Sequence, residues 1–360
     1  MVKPFYRQEK EERLARITLT DIAAKAGVNV GTVSRVLNGK DKAGRISETL
    51  AERIRKIASK SGYLPNTSAR ALLTGKFNTI ALVMSAIENR SYFPSGLLNG
   101  IYDALASHNM QLLLVKVPDD AFNNPKTVPE IFRSRAVDGL LVNYTHKAPP
   151  ALSMAISDCG IPSIWLNTRQ PQDAVFSDNQ GAAQILTRKL IELGHRRIAY
   201  LNTGWQKPDA HELRDAHYSV RERLAGYTKS VHKAGLRPIV ISHETVQPSF
   251  EFLIRFTHEW LQREKPTAIV AYWVNSLAPL IHVAWQNRVK VPQELSICCF
   301  GNETMPGGPL RISAMIEPEY ALGQQAVAML QRKIKSRRKT LASEAIPLTW
   351  VDFGTCVPRT

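Results

Sequence analysis

The sequence lacks the features of a membrane protein, of a secreted protein and of common enzyme families. It has no run of 18 or more apolar residues, which argues against a membrane span. Residues 1–16 are crowded with charges and contain no apolar core of a secretory signal. There is no GxSxG, Walker or HExxH motif, and no GxGxxG follows a strand. We therefore predict a cytoplasmic protein with no catalytic residues and no cofactor.

Cysteine is scarce, and its placement predicts neither a disulfide nor a metal site. The four cysteines form no CxxC pair and have no histidine at metal-ligand spacing. We expect reduced, mostly buried thiols. Cys298 and Cys299 lie in the apolar run LSICCF and are predicted to be strand residues. His195, isolated in a Gly-His-Arg-Arg sequence, is predicted to be a structural turn residue.

Positive charge is concentrated near the N-terminus. The 360 residues include 47 Lys and Arg and 31 Asp and Glu, a net charge of +16. Residues 1–76 hold 16 of these cations and 7 of the acids, which is +9, and residues 77–360 hold 31 and 24, which is +7. This asymmetry favours an N-terminal domain that binds a polyanion. Residues 1–16 lack an apolar period and are predicted to form a flexible, basic and at most partly helical arm.

Residues 17–65 carry the pattern of three short helices. Thr18 and Asp21 fit a capping box that starts the first helix, and Gly27 ends it. Asn29 can cap a second helix, Val30–Leu37. Ser47 can cap a third, which runs to about Ser61 and carries a buried stripe of Leu50, Ile54, Ile57 and Ala58. Two helices joined by a tight glycine turn and supported by a third predict a helix-turn-helix domain.

The next segment, residues 66–76, is predicted to be a linker with one short helix. Pro65 ends the preceding structure and Asn66 can cap a helix of about two turns. A helix this short is unstable alone in water, so it should fold only when something packs on it.

From residue 77 onwards, short apolar runs alternate with amphipathic stretches. This alternation favours parallel sheets with crossover helices, and the length of the region favours two lobes. The predicted strands are Ile80–Met84, Leu112–Val117, Gly139–Asn143, Ile164–Leu166, Ile198–Leu201, Ile239–Ser242, Ala268–Tyr272 and Ser296–Phe300. The predicted helices include Gly96–His108, Gln180–Leu193, Leu224–Ala234 and Ser276–Gln286.

The stretch ITLTDIAAKAGVNVGTVSRVLNG (17–39) resembles the DNA-reading head of the lactose-repressor/galactose-repressor family. Further matches include Gly62-Tyr63-Leu-Pro-Asn66 and Arg221-Glu-Arg-Leu-Ala-Gly-Tyr227, so the resemblance covers residues 17 to about 330. It implies a helix-turn-helix head followed by a two-lobed α/β domain like a periplasmic binding protein. It also implies a nucleoid-associated regulator, expected to be a repressor, that acts as a homodimer or a dimer of dimers on a pseudo-palindromic operator.

The family's domain plan implies an effector-binding and dimerisation domain at residues 77–360. We expect its first lobe to comprise residues 77–177 and 307–335, and its second lobe residues 178–306 and 336–360. The effector would bind in the cleft between the lobes. A sugar or sugar derivative is the leading expectation, and a non-sugar effector or a ligand-independent repressor is the alternative.

The resemblance implies that the second helix enters the major groove of DNA. Val30 and Gly31 occupy operator-dependent positions, and Arg35 can take guanine O6 and N7, or else a phosphate. Short polar side chains suit phosphates, although capping or solvation explains the threonines equally well. Leu72 aligns with a leucine that wedges between base steps, with packing against the dimer mate as the alternative. The remaining expected contacts are Thr18, Leu19, Thr20, Thr32, Ser34, Asn38, Asn66, Thr67 and Ala69.

For the effector, the resemblance points to five residues. Arg223 aligns with an arginine that holds ligand hydroxyls or a carboxylate, and a surface salt bridge is the alternative. Asn167 aligns with a ligand-contacting Asp or Asn, and Phe93 with an aromatic at the cleft mouth that could instead pack in the core. Trp273 and Asn302 stand where the family often has acidic or amide ligands, and Trp273 could either stack on a ring or fill the cleft.

Overall fold

The computed structural model describes residues 17–38, 46–63, 75–87, 90–122, 129–134, 136–146, 148–206, 216–243, 248–302, 311–336 and 339–359. Two compact units are present, Met1–Phe77 and Asn78–Thr360. The predicted arm (1–16) and the expected DNA contacts Asn66, Thr67, Ala69 and Leu72 lie outside the described residues. No described helix combines the length and the apolar character that a membrane span needs.

The smaller unit contains the three predicted helices, α1 (Leu19–Ala26), α2 (Val30–Leu37) and α3 (Glu48–Lys60). Thr18 and Asp21 form the capping box, and Gly27 adopts φ 67°, the left-handed conformation expected at the end of α1. The side chains of Asn29 and Ser47 cap α2 and α3. All of these signals are local in sequence, which explains why the boundaries could be predicted.

A small apolar core holds these helices together. Its buried members are Ile22, Ala23, Ala26, Val33, Val36, Ala51, Ile54 and Ala58. The predicted stripe of α3 is confirmed at Ile54 and Ala58, whereas Leu50 and Ile57 are only partly buried and Ala51 faces the core instead. The core is limited to short side chains and a few larger aliphatic ones, as expected for a domain of this size.

The larger unit contains two six-stranded sheets. The first has the order β11-β5-β4-β3-β1-β2, with every neighbouring pair parallel. Its strands are β1 (Thr79–Ser85), β2 (Gln111–Val117), β3 (Gly139–Asn143), β4 (Ser163–Leu166), β5 (Ala174–Ser177) and β11 (Glu344–Ile346). The continuous apolar runs of β1 and β3 follow from burial on both faces of a parallel sheet.

The second sheet has the order β12-β10-β9-β8-β6-β7, parallel except for the antiparallel pair β10–β12. Its strands are β6 (Ile198–Gln206), β7 (Ile239–His243), β8 (Ala268–Ala271), β9 (Ser296–Gly301), β10 (Ser313–Ile316) and β12 (Thr349–Val351). Cys298 and Cys299 lie in β9 and are fully buried, as predicted. His195 is also buried, between the Thr267 hydroxyl (3.0 Å) and the Val357 carbonyl (3.1 Å), which confirms its structural role.

Helices cover both sheets. They are α4 (Ser95–Ala106), α5 (Glu130–Ser134), α6 (Pro150–Cys159), α7 (Asn179–Glu192), α8 (Tyr218–Lys233), α9 (Phe250–Glu264), α10 (Ala278–Gln286) and α11 (Glu319–Ser336). Helices α4 and α11 pack closely because glycines meet at their crossing: a Cβ on Gly323 would lie 2.6 Å from the carbonyl oxygen of Leu97.

The predicted lobe boundaries are wrong near the C-terminus. Strand β10 (Ser313–Ile316) belongs to the second sheet, although residues 307–335 were assigned to the first lobe. Strand β11 (Glu344–Ile346) belongs to the first sheet, although residues 336–360 were assigned to the second. Neither strand was among those predicted from the sequence, so the lobe boundaries were drawn without them. The described chain thus passes between the lobes after Ser177, after Ile316 and after Ile346.

Candidate DNA-reading and effector sites

Helix α2 presents its expected base-reading residues on one exposed face. Val30 is 40% exposed, and Gly31 and Arg35 are also exposed. Gly31 and Arg35 are four residues apart, so they lie on the same side of the helix. This face is therefore accessible to the edges of base pairs.

Several of the expected phosphate contacts also make local hydrogen bonds. The Thr18 hydroxyl donates to Asp21 Oδ2 (2.7 Å), and the Thr32 hydroxyl donates to Asn29 Oδ1 (3.0 Å). The Asn38 amide donates to the Ser34 carbonyl (2.7 Å) and to the Ser34 hydroxyl (3.2 Å). Leu19 packs partly into the head core, whereas Thr20 is exposed. Thr18 therefore caps α1 and the Thr32 hydroxyl is bound to the cap residue of α2, and the DNA contacts of both threonines stay predictions.

A cavity of about 740 Å³ lies at the carboxyl ends of the strands of both sheets. Its wall includes residues that directly follow β4, β8, β9 and β10, namely Asn167, Tyr272, Asn302 and Glu317. Ligands of open parallel sheets bind at this end of the strands. All five residues expected at the effector site line the cavity: Phe93, Asn167, Arg223, Trp273 and Asn302.

Arg223 is held in place by the protein itself. It is buried, and its guanidinium donates from Nε to Asn179 Oδ1 (2.6 Å), from one terminal nitrogen to the Tyr272 carbonyl (2.8 Å) and from the other to the Glu317 carboxylate. The guanidinium carbon of Arg223 also lies 4.0 Å from the centre of the Phe300 ring. The surface salt bridge considered from the sequence is therefore wrong. Glu317, which the sequence reading did not identify, balances the charge of Arg223.

The Glu317 carboxylate also connects Arg223 to the first sheet. Its second oxygen accepts a hydrogen bond from the hydroxyl of Ser177, the last residue of β5. The backbone N–H of Ser177 donates to the Tyr218 hydroxyl (2.9 Å), which in turn donates to Asn167 Oδ1 (3.1 Å). Asn167 has φ 49°, a left-handed conformation that asparagine tolerates better than most residues. This polar network thus lies where the chain passes between the lobes after Ser177 and after Ile316.

His217 has a defined tautomer in the cavity wall. Its Nε2 lies 2.9 Å from the Asn167 carbonyl, which can only accept, so Nε2 carries the proton. Its Nδ1 then accepts from the Ser219 hydroxyl (2.8 Å), which accepts from the Tyr272 hydroxyl (2.9 Å). The pKa of His217 is lowered to about 3, chiefly by burial and also by the nearby His146 and Arg223, although the hydrogen bond to the Asn167 carbonyl acts in the opposite direction. His217 is therefore neutral at physiological pH.

The opposite wall of the cavity has aromatic and acidic groups. The Tyr92 hydroxyl donates to Glu319 Oε1 (3.2 Å), and Asn302 also hydrogen-bonds to Tyr92. Burial raises the pKa of Tyr92 to about 12, and the charge of Glu319 raises it too. Tyr92 is therefore a neutral hydroxyl beside Phe93. Trp273 lines the second-lobe side of the cavity, with its ring 5.6 Å from the Arg223 guanidinium carbon.

Comparison with known proteins identifies both domains. Residues 18–66 match the family described as bacterial regulatory proteins, lacI family, and residues 187–356 match the periplasmic binding protein-like domain. The chain therefore carries a lacI-family helix-turn-helix domain followed by a periplasmic binding protein-like domain. Among its relatives, the transcriptional regulator CelR of Thermobifida fusca is 33% identical over 233 residues, which cover 62% of this chain and 64% of CelR, just under two thirds. The ribose operon repressor of Haemophilus influenzae is 25% identical, over 95% of this chain and 97% of the repressor.

Solved structures show the same lacI-family fold. The lac repressor dimer bound to operator and the anti-inducer ONPF has a TM-score of 0.71 at 21% identity, covering 95% of this chain and 99% of that one. The CelR–cellobiose complex has a TM-score of 0.57 at 24% identity, covering 94% and 99%. At these identities the likeness concerns the fold: a helix-turn-helix head and a two-lobed α/β domain with parallel sheets.

Proposed function

We propose that this protein is a lacI-family repressor that binds a pseudo-palindromic operator as a homodimer. Its affinity for the operator changes when a sugar binds in the cavity. The observation that carries the proposal is the cavity itself, because both lobes contribute to its wall. A ligand there contacts both lobes and favours one lobe arrangement over another. Such a difference in affinity is what a population shift requires. The protein acts by binding and needs no catalytic group.

On the DNA side, we propose that Arg35 supplies the main base contact. Val30 can only touch a thymine methyl and Gly31 has no side chain, so Arg35 is the residue of this face able to form paired hydrogen bonds with guanine. Residues Asn66, Thr67, Ala69 and Leu72 would follow in the minor groove, with Leu72 as the wedge. Thr18, Leu19, Thr20, Thr32, Ser34 and Asn38 would contact the backbone and set the register.

On the effector side, the lining favours an uncharged sugar. Trp273 and Tyr92 offer ring faces for a pyranose, and amides at Asn167, Asn275 and Asn302 offer hydrogen bonds to hydroxyls. A sugar phosphate or sugar acid would need an unbalanced cation, and the charge of Arg223 is already balanced by Glu317. Relatives support a sugar: one is named the ribose operon repressor, and one solved regulator from Enterococcus faecium has ribose bound.

The proposed homodimer has a candidate surface on strand β2. This strand lies at the edge of the first sheet, and its side chains Leu113 and Leu114 are 42% and 53% exposed. Neighbouring apolar residues on an open edge strand favour association with another chain. A twofold dimer would place two heads on two half-sites.

The test has two stages. Selection of binding sites from a random duplex pool should yield an inverted repeat. A pool without any enriched site would refute the proposal that this protein is a DNA-binding regulator. Thermal-shift screening of the full chain against neutral sugars, sugar phosphates, sugar acids and purines should then raise the melting temperature for a neutral sugar. Hits must also change operator affinity. A response confined to phosphorylated sugars or purines would refute the neutral-sugar assignment, but it would not contradict the proposed regulatory function.

A further inference from the structure

The C-terminal end of helix α11 begins a strongly basic run. Six of the eight residues from 332 to 339 are lysine or arginine, and no acid occurs between Glu319 and Glu344. Within this run, Arg332 pairs with Glu344, and buried Lys333 pairs with Asp173 at 2.8 Å. Lys335 and Lys339 are exposed. Positions 337 and 338 lie outside the described residues. The run therefore brings more positive charge to the surface than its ion pairs balance.

Contacts of α11 show where this run lies in the fold. Lys333 Nζ donates to the carbonyl of Ser163, the first residue of β4 (3.2 Å). The Gln331 amide reaches the sulfur of Met110, directly before β2 (3.0 Å). Leu330 lies against Gly139, the first residue of β3. The last turn of α11 is thus at the amino-terminal edge of the first sheet, opposite to the edge that forms the cavity.

Another exposed cation precedes a strand that starts at the same edge. Helix α5 leads into β3, and its exposed Arg133 lies six residues before that strand begins. Position 135, also an arginine, is outside the described part of the chain. Described acids near the strand starts at this edge include Asp138, Asp158, Asp173 and Glu344. Of these, Asp173 pairs with Lys333 and Glu344 pairs with Arg332. We call the exposed side chains of Arg133, Lys335 and Lys339 the basic edge.

The chain enters the larger unit at this edge, because β1 begins at Thr79, one residue after Asn78. From Tyr63, at the end of the described head, to Asn78 the chain spans at most about 50 Å. DNA held by the head is therefore tethered within reach of the larger unit, at a high effective concentration. A few exposed cations bind a free polyanion weakly, but they can contribute measurably to one that is already tethered.

We propose that the basic edge contacts the phosphate backbone of DNA that the head has bound. The inference rests on the proposed function, since the head must deliver the DNA. These contacts add affinity for operator and for random sequence alike, because backbone phosphates carry no sequence information. They also make operator binding by the full chain depend more steeply on salt than contacts of the heads alone would.

The test compares two full-length variants that lose the same charge. One replaces the basic edge by glutamine (Arg133, Lys335 and Lys339). The control replaces one arginine and two lysines of the second lobe, all exposed, by glutamine (Arg188, Lys233 and Lys290). Affinity is measured from 50 to 200 mM salt on a 40-base-pair random duplex and on the selected operator. Each lost phosphate contact should lower the slope of log affinity against log salt by about 0.9.

We expect the basic-edge variant to lose a slope of about 2 to 3 for each protomer that contacts the duplex, and the control to stay close to wild type. Lys335 also stabilises the negative end of the α11 dipole, so melting temperature is measured for every variant. If the triple variant melts early, the Lys335→Gln/Lys339→Gln pair replaces it, with an expected slope loss of about 1 to 2 for each protomer that contacts the duplex. An intact variant with the control's slope overturns the proposal and favours an acidic protein partner for the basic edge. If the wild-type protein itself binds the operator no more tightly than the random duplex, the proposed regulatory function is refuted instead.

Discussion

The guanidinium of Arg223 and the carboxylate of Glu317 form an ion pair in the interior of the larger unit, where helix α8 meets the segment that leaves β10. The Arg223 side chain is 2% exposed and that of Glu317 11%. Neither charge would be tolerated there alone, because removing an unpaired ion from water costs several kcal/mol. The pair therefore fixes the polar network between the lobes, in addition to facing the cavity.

Breaking this pair should destabilise the larger unit strongly. We expect Glu317→Gln to lower the free energy of unfolding by about 3 kcal/mol or more, since the Arg223 charge stays buried. Arg237→Gln is the matched control: it breaks the surface pair with Glu264, in which Arg237 is 79% exposed, and should cost about 1 kcal/mol or less. Urea denaturation measures both. Equal small effects would show that Arg223 is well hydrated and free to serve a ligand.

Trp273 should contribute to effector affinity by stacking. We expect Trp273→Ala to weaken binding of the identified sugar about 10-fold, which corresponds to a ring contact of about 1.4 kcal/mol. Isothermal titration gives the affinity, and Trp285→Ala, which removes a 77% exposed ring outside the cavity lining, is the control. Unchanged affinity in Trp273→Ala would mean that this ring only fills the cleft.

Strand β2 should mediate dimerisation. We expect Leu114→Lys to shift the protein towards monomer in sedimentation experiments, because a charge would be buried between the chains. Operator affinity should fall with it, since two linked heads bind two half-sites together. Met154→Lys introduces the same charge on α6 at a side chain that is 67% exposed, and should leave the dimer intact. A Leu114→Lys variant that remains fully dimeric would exclude the β2 edge.

Stability should fall as the solution becomes acidic, and His217 should cause part of that fall. Its folded pKa, lowered by burial to about 3, lies below the unfolded value of about 6.5. The unfolded chain therefore binds the proton first as pH falls below about 6.5, and stability decreases down to about pH 3. One such group accounts for about 2 kcal/mol between pH 7 and pH 5. His217→Gln should flatten the measured dependence by that amount, and parallel curves for the two proteins would contradict the assignment.

Local signals explain most of what could be predicted from the sequence. The head helices follow from Thr18, Gly27, Asn29 and Ser47, each of which acts on its own neighbours. The eight predicted strands are all present to within a few residues, because a run such as Gly139–Asn143 is buried on both faces. Strands β5, β10, β11 and β12 were not predicted. They are the two strands at one end of each sheet, β11 and β5 in the first and β12 and β10 in the second, and each is held by pairing with its neighbours.

The effector cavity was predicted in part. Its five expected residues do meet around one space, since four of them follow strands whose carboxyl ends converge and Arg223 lies near the start of helix α8. Glu317 was missed because it lies 94 residues from Arg223 in sequence, and only the fold brings the two together. Its one local signal is an acid placed between the apolar strand SAMI and a proline. The environment of His217 likewise depends on a distant partner, because its Nε2 donates to the carbonyl of Asn167, 50 residues earlier in the chain.

Because the chain passes between the two sheets three times, neither sheet can be completed until late in synthesis. The first sheet lacks its covering helix α11 and its edge strand β11 until residue 346 has been made, although most of its strands lie before residue 178. A nascent chain that stops at residue 300 has both sheets begun and neither one finished, with the apolar surface beneath α11 open to solvent. Such intermediates aggregate readily. Premature termination between residues 300 and 346 should therefore yield insoluble product instead of a shorter working lobe.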